Sequence, residues 1–107
     1  MGGGQSLTIG LNRPDLFAWV GGFSSAVFKD DMAERFAAAL GDPAATNKKF
    51  RLLWIAIGKE DFLLPANQAL RDLLAEKQVK HSFQETEGAH TWRVWRRYLA
   101  EFAPLLF

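Results

Sequence analysis

Arg51-Leu52-Leu53-Trp54-Ile55-Ala56-Ile57 is the stretch that decides the fold. Its apolar residues run on without alternation, the pattern of a strand covered on both faces, and such strands lie in parallel sheets with helices above and below. Outward from it, helical and extended patterns alternate to both ends of the chain, the mark of α/β structure. On the C-terminal side, Pro65 to Lys77 places Ala66, Ala69, Leu70, Leu73 and Leu74 on one helical face, with Arg71, Asp72, Glu76 and Lys77 opposite and Pro65 in the first turn. Val79 to Thr86 sets Val79, His81 and Phe83 against Lys80, Ser82 and Gln84, which predicts a strand near a sheet edge. A last helix is predicted from Thr91 to about Ala103, with Trp95, Leu99, Phe102 and Leu106 as its apolar stripe and Arg93, Arg96, Arg97 and Glu101 outward.

On the N-terminal side, Asp30-Asp31 can cap a helix carrying Met32, Phe36, Ala39 and Leu40, and Gly41 with Pro43 stops it. Ala18 to Phe23 reads as a short strand. Gly4 to Asn12 reads as a helix ended by Pro14. The expectation is one α/β/α three-layer domain over residues 1–107, with three parallel strands and four helices. Right-handed crossovers would make the strands neighbours in one sheet. Three strands make a thin sheet, and the first would carry an open apolar edge, a surface that asks for a partner.

Composition narrows the partners. The chain has 107 residues, 49% hydrophobic and 23% charged, a globular composition, and 13 basic against 12 acidic residues leave a net charge of +1. That balance gives no reason to expect nucleic acid or an anionic membrane. No run of about 18 apolar residues suggests a membrane span, and Met1 to Ser6 has no signal-peptide pattern. Without cysteine there is no thiolate metal site, and Glu60, Glu85 and Glu87 with His81 or His90 form no repeated ligand spacing. Neither a metal nor another cofactor is expected. Gly2-Gly3-Gly4 lacks the Lys-Ser/Thr of a phosphate loop.

Asp61 stands just past the end of the most buried strand, and His90 just past the end of the next. Ligands of parallel α/β sheets bind outside the carboxyl ends of strands, and neighbouring strands lie about 4.8 Å apart, so the two side chains can meet. An imidazole serves as general base when a carboxylate fixes its tautomer and stabilises the imidazolium that forms. A turn or helix-capping role before Pro65 also fits Asp61, and a solvated loop role fits His90. Three glycines at a helix start each cost up to about 1 kcal/mol relative to alanine, so they call for close backbone approach at a strand-to-helix turn.

Three further segments carry a family resemblance. Met1-Gly2-Gly3 is similar to the end of a Gly-x-Ser-Met-Gly-Gly nucleophile elbow, Gly58-Lys59-Glu60-Asp61 to a glycine-x-x-Asp acid loop, and Gly88-Ala89-His90-Thr91-Trp92-Arg93-Val94-Trp95 to a Gly-x-His-x-Trp-x-x-Trp histidine segment. With Leu11-Asn12-Arg13-Pro14-Asp15-Leu16-Phe17 between them, the chain resembles, over nearly its whole length, the C-terminal half of the α/β-hydrolase esterases that include feruloyl, acetyl-xylan and enterochelin esterases and S-formylglutathione hydrolases.

The resemblance implies a serine carboxylesterase in which Asp61 is the triad acid, His90 the base and Met1 a backbone donor to the oxyanion. It also implies that the serine stands just before Met1, outside this sequence, so that the chain alone has no useful esterase activity. Its partners would then be an ester substrate in the complete enzyme and a complementing N-terminal half. The other reading is a non-catalytic module that forms a homodimer through its open sheet edge.

Ser24 and Trp92 are candidates for the substrate pocket, although a turn role fits Ser24 and packing fits Trp92. Ser6 lies within the first helix without an elbow's flanking glycines, and His81 reads as an ordinary sheet histidine.

Overall fold

The computed structural model describes residues 1–107. Three strands, β1 (Trp19–Phe23), β2 (Leu52–Gly58) and β3 (Ser82–Thr86), form one parallel sheet in that order. Trp19 lies opposite Leu52 and Phe23 opposite Ala56, while Trp54 faces Ser82 and Gly58 faces Thr86. The unbroken apolar run of β2 is the central strand, buried from Leu53 to Gly58.

Alternation along β2 divides the core between the two faces. Leu53 and Ile55 join Leu7 and Leu11 of α1 (Gly2–Asn12), Met32 of α2 (Lys29–Arg35), Ala39 and Leu40 of α3 (Ala37–Gly41), and Leu70 and Leu74 of α5 (Leu64–Glu76). Trp54 and Ala56 meet Val94 and Tyr98 of α6 (Trp92–Phe102) on the other face. There Phe23 packs edge-on against Trp54, Tyr98 and Phe102, with centroids 5.5 to 5.8 Å apart. Such aromatic pairs are each worth about 0.5–1.5 kcal/mol beyond area burial.

Six helices and a closing 3-10 turn (Ala103–Leu106) replace the four helices expected. The helix expected from Asp31 to Gly41 breaks at Phe36, whose φ of −107° and ψ of 19° leave the helical region and turn its ring into the core. Asp30 and Asp31 sit in the first turn of α2 rather than at its cap, which is Phe28. Pro43 not only stops a helix but starts one, α4 (Pro43–Lys49), where its missing N–H costs nothing, and Asp42 accepts the Ala45 N–H at 3.2 Å.

β3 begins at Ser82 and not at Val79, because Gln78 takes a left-handed conformation (φ 62°) and the chain enters the sheet only after that turn. His81 therefore precedes the strand, its Nδ1 2.9 Å from the Val79 carbonyl. On α6 the buried residues are Val94 and Tyr98, while Leu99 is 54% exposed. The helix rests on Trp54 and Ala56 through Val94 and Tyr98, and its Trp95–Leu99–Phe102 side borders an open cleft beside β1. No helix is long and apolar enough to cross a membrane.

Candidate active site

The carboxyl ends of β2 and β3 each run into a loop, and backbone pairing carries on past the strands. Lys59 N–H donates to the Thr86 carbonyl at 2.7 Å and Glu60 N–H to the Gly88 carbonyl at 3.0 Å. Gly58 permits this approach, since a Cβ there would run into the Gly88 carbonyl. Gly88 itself has φ 114°, a conformation open mainly to glycine.

The two loops bring Asp61 and His90 together. Asp61 is buried, with a side chain wholly shielded from solvent; its Oδ2 lies 3.0 Å from His90 Nδ1, and its Oδ1 accepts the Leu63 N–H at 2.9 Å. Both carboxylate oxygens are therefore engaged, and Asp61 serves the turn before α5 and the histidine at once. Nε2 of His90 has no protein partner. Trp95 stands edge-on to the imidazole with centroids 4.8 Å apart, and Phe62 covers another side at 5.0 Å. Trp95 is held in turn by its indole N–H, which donates to Ser24 Oγ at 2.9 Å.

A cleft of about 470 Å³ opens beside His90, and Met1, Gly2, Gly3, Ser24, Trp92 and Trp95 are among its lining residues. The structure thus gathers Met1, Ser24, His90 and Trp92 around one space, with Asp61 behind the histidine. Trp92 is 67% exposed at the rim, and Ser24 is buried with φ 48°. The start of α1 also faces this cleft, and the first N–H groups of a helix have no partner within it. Gly3 and Gly4 account for the glycine run: a Cβ on either would strike the turn after β1, at the Phe23 or Ala26 carbonyl, whereas Gly2 has open space.

No hydrogen bond joins His90 to a serine. Ser24 Oγ is taken by Trp95, and Ser6 lies exposed on α1. No group of three or more His, Cys, Asp or Glu side chains is gathered to hold a metal.

A family model described as "Putative esterase" matches residues 1–106. The chain belongs to that esterase family. An acetyl esterase of Caldicellulosiruptor saccharolyticus is 33% identical to it over 48 residues, which are 45% of this chain and 18% of that protein. Among solved structures, an S-formylglutathione hydrolase of Staphylococcus aureus superposes with a TM-score of 0.77 at 22% identity, over 94% of this chain and 45% of that one. A ferulic acid esterase gives 0.78 at 20% identity, over 94% and 45%. The fold is that of α/β-hydrolases, and this esterase-family chain spans less than half the length of these relatives.

Several contacts around His90 were not legible in the sequence of this esterase-family chain. Glu60 entered the sequence reading only among residues without metal-ligand spacing, yet its Oε2 accepts the Gly88 N–H at 2.6 Å. Phe62 carried no signal, and Trp95 read as a core residue only. The one usable sign was position: Trp95 lies on the first turn of the helix that follows His90.

Proposed function

We propose that this chain supplies the acid and the general base of a serine carboxylic-ester hydrolase, with the nucleophilic serine contributed by residues preceding Met1. The observation that carries this reading is the buried Asp61 carboxylate 3.0 Å from His90 Nδ1, with Nε2 left free beside an open cleft. In the complete site, serine attacks the ester carbonyl and His90 Nε2 takes its proton, then returns it to the leaving alcohol. Asp61 holds the imidazole in the tautomer that makes this possible. Met1 N–H, in peptide linkage to the serine, would be one donor to the oxyanion at the start of α1.

The test is hydrolysis of a chromogenic acetate ester by the chain alone and by the chain joined to an upstream segment ending in Gly-x-Ser. The joined protein should turn over, and the chain alone should not. Turnover by residues 1–107 that vanishes in both Asp61→Ala and His90→Ala would overturn the external nucleophile.

One observation favours a second reading, self-association. β1 is an edge strand, and Ile9, Phe17 and Trp19 stay exposed along the groove between it and α1. A dimeric mass in solution, lost on Trp19→Lys, would support it, and a monomeric mass at high concentration would remove it.

A further inference from the structure

We infer that Glu60 is a positioning residue that sets the geometry of the Asp61–His90 pair, an inference that rests on the catalytic reading of that pair. The residue before the acid grips both backbone polar groups of Gly88, two residues before the histidine. Glu60 N–H donates to the Gly88 carbonyl at 3.0 Å, and Glu60 Oε2 accepts the Gly88 N–H at 2.6 Å. Nothing else joins these loops beyond the sheet so directly: the Lys59 to Thr86 bond belongs to the end of the ladder, and the Asp61–His90 contact is the one to be positioned.

The geometry of Gly88 makes this clamp informative. At φ 114° the residue holds one of the many backbone states open to glycine, so its conformation must be fixed by its contacts. Its N–H has no backbone acceptor, and the Glu60 carboxylate is its partner. A bond to an ionised acceptor is short and roughly twice as strong as one between neutral groups. Releasing it leaves Gly88 held to this loop only through its carbonyl and loosens Gly88-Ala89, the two residues that aim His90. The Glu60 side chain lies at the surface, so removing it empties no part of the core.

The experiment is nitrogen-15 NMR of the His90 ring and the Gly88 amide in the chain itself. In the wild type, His90 should show a single neutral tautomer with the proton on Nδ1. Glu60→Ala should replace it with an averaged pair of tautomers and speed Gly88 amide exchange on the order of tenfold. Glu60→Gln, which keeps an acceptor oxygen, should restore the wild-type pattern. Leu7 and Leu40 signals, from the core on the other face of the sheet, should stay fixed throughout, a result that a general loss of structure would not give. Should Glu60→Ala fail to fold, Glu60→Asp shortens the reach by one methylene and should behave as the alanine variant was expected to.

A wild-type His90 spectrum in Glu60→Ala or Glu60→Asp overturns the inference, as does a glutamine variant no better than alanine. Asp61→Asn is the control for the underlying reading. If it leaves the His90 tautomer unchanged, the acid–base pairing itself fails, independently of Glu60.

Discussion

Gly58 and Gly88 meet across the seam between β2 and β3 with no room for a side chain on the first, because its Cβ would lie where the Gly88 carbonyl stands. The contact is backbone against backbone, so neither side can give by a change of rotamer. It brings the acid loop and the histidine loop close enough for Asp61 to reach His90.

Gly58→Ala should therefore cost more than an ordinary overpacking, about 3 kcal/mol at the upper end of the usual range. Urea denaturation followed by tryptophan fluorescence gives the number. A loss below about 1 kcal/mol would mean that the loops part easily and that the approach is not tight.

Trp95 and Ser24 form the next layer out. Trp95→Phe keeps a ring against His90 but leaves Ser24 Oγ buried without its donor, which should cost about 1–3 kcal/mol. Adding Ser24→Ala removes the stranded hydroxyl, so the double variant should recover part of that loss. A strictly additive double variant would show that the two side chains are not coupled.

Asn67 is fully buried at the start of α5, and its Nδ2 donates to the Ser25 carbonyl at 2.9 Å and the Leu63 carbonyl at 3.0 Å. Asn67→Asp would place a buried carboxylate against two carbonyl oxygens. It should lower stability by several kcal/mol at neutral pH and lose less in acid, where the added group is protonated. Thermal melts at pH 7 and pH 4.5 test this; equal losses at both would remove the electrostatic explanation.

How much of this was legible in advance follows from range. β2 was readable because a strand buried on both faces writes its burial into every residue, and α5 because its apolar stripe repeats within a few turns. That Asp61 and His90 can meet was readable from their places after neighbouring strands, whereas their roles as acid and base came only from the family resemblance. The break at Phe36 was not, since Met32, Phe36 and Leu40 keep helical spacing across it, and only the ring's insertion into the core separates α2 from α3. The exposure of Leu99 was hidden for a similar reason: helical periodicity marks an apolar side, while the Trp54 and Ala56 surface selects which part of it is covered. The grip of Glu60 on Gly88 spans 28 residues and leaves no local trace.

Tyr98 gives a pH dependence with a definite sign. Burial pushes its phenol above the ordinary value, and the hydrogen bond with Thr86 pulls it partly back. The fold thus holds the neutral phenol more tightly than the unfolded chain does. Its contribution is complete below the unfolded value of about 10 and is lost as pH rises through the higher folded value. Denaturation between pH 8 and 11 should show stability falling at the alkaline end, with a smaller fall in Tyr98→Phe. Parallel curves for the two proteins would assign the alkaline loss to other groups.

If a serine preceding Met1 is the nucleophile, as proposed, the Asp61–His90 contact sets the kinetics of the chain joined to a segment ending in Gly-x-Ser. If Asp61 acts only through His90, the two cannot contribute independently. Asp61→Asn keeps the contact but favours the wrong tautomer, and should lower kcat by about 10⁴ with KM little changed. His90→Ala removes the base outright and should lower kcat by about 10⁶. Once His90 is gone the carboxylate has nothing to orient, so the double variant should be no slower than His90→Ala. Steady-state kinetics on an acetate ester separate the cases, because losses that multiply in the double variant would mean that Asp61 works on the substrate or the fold by a route of its own, and the 3.0 Å contact would then not be the one that matters.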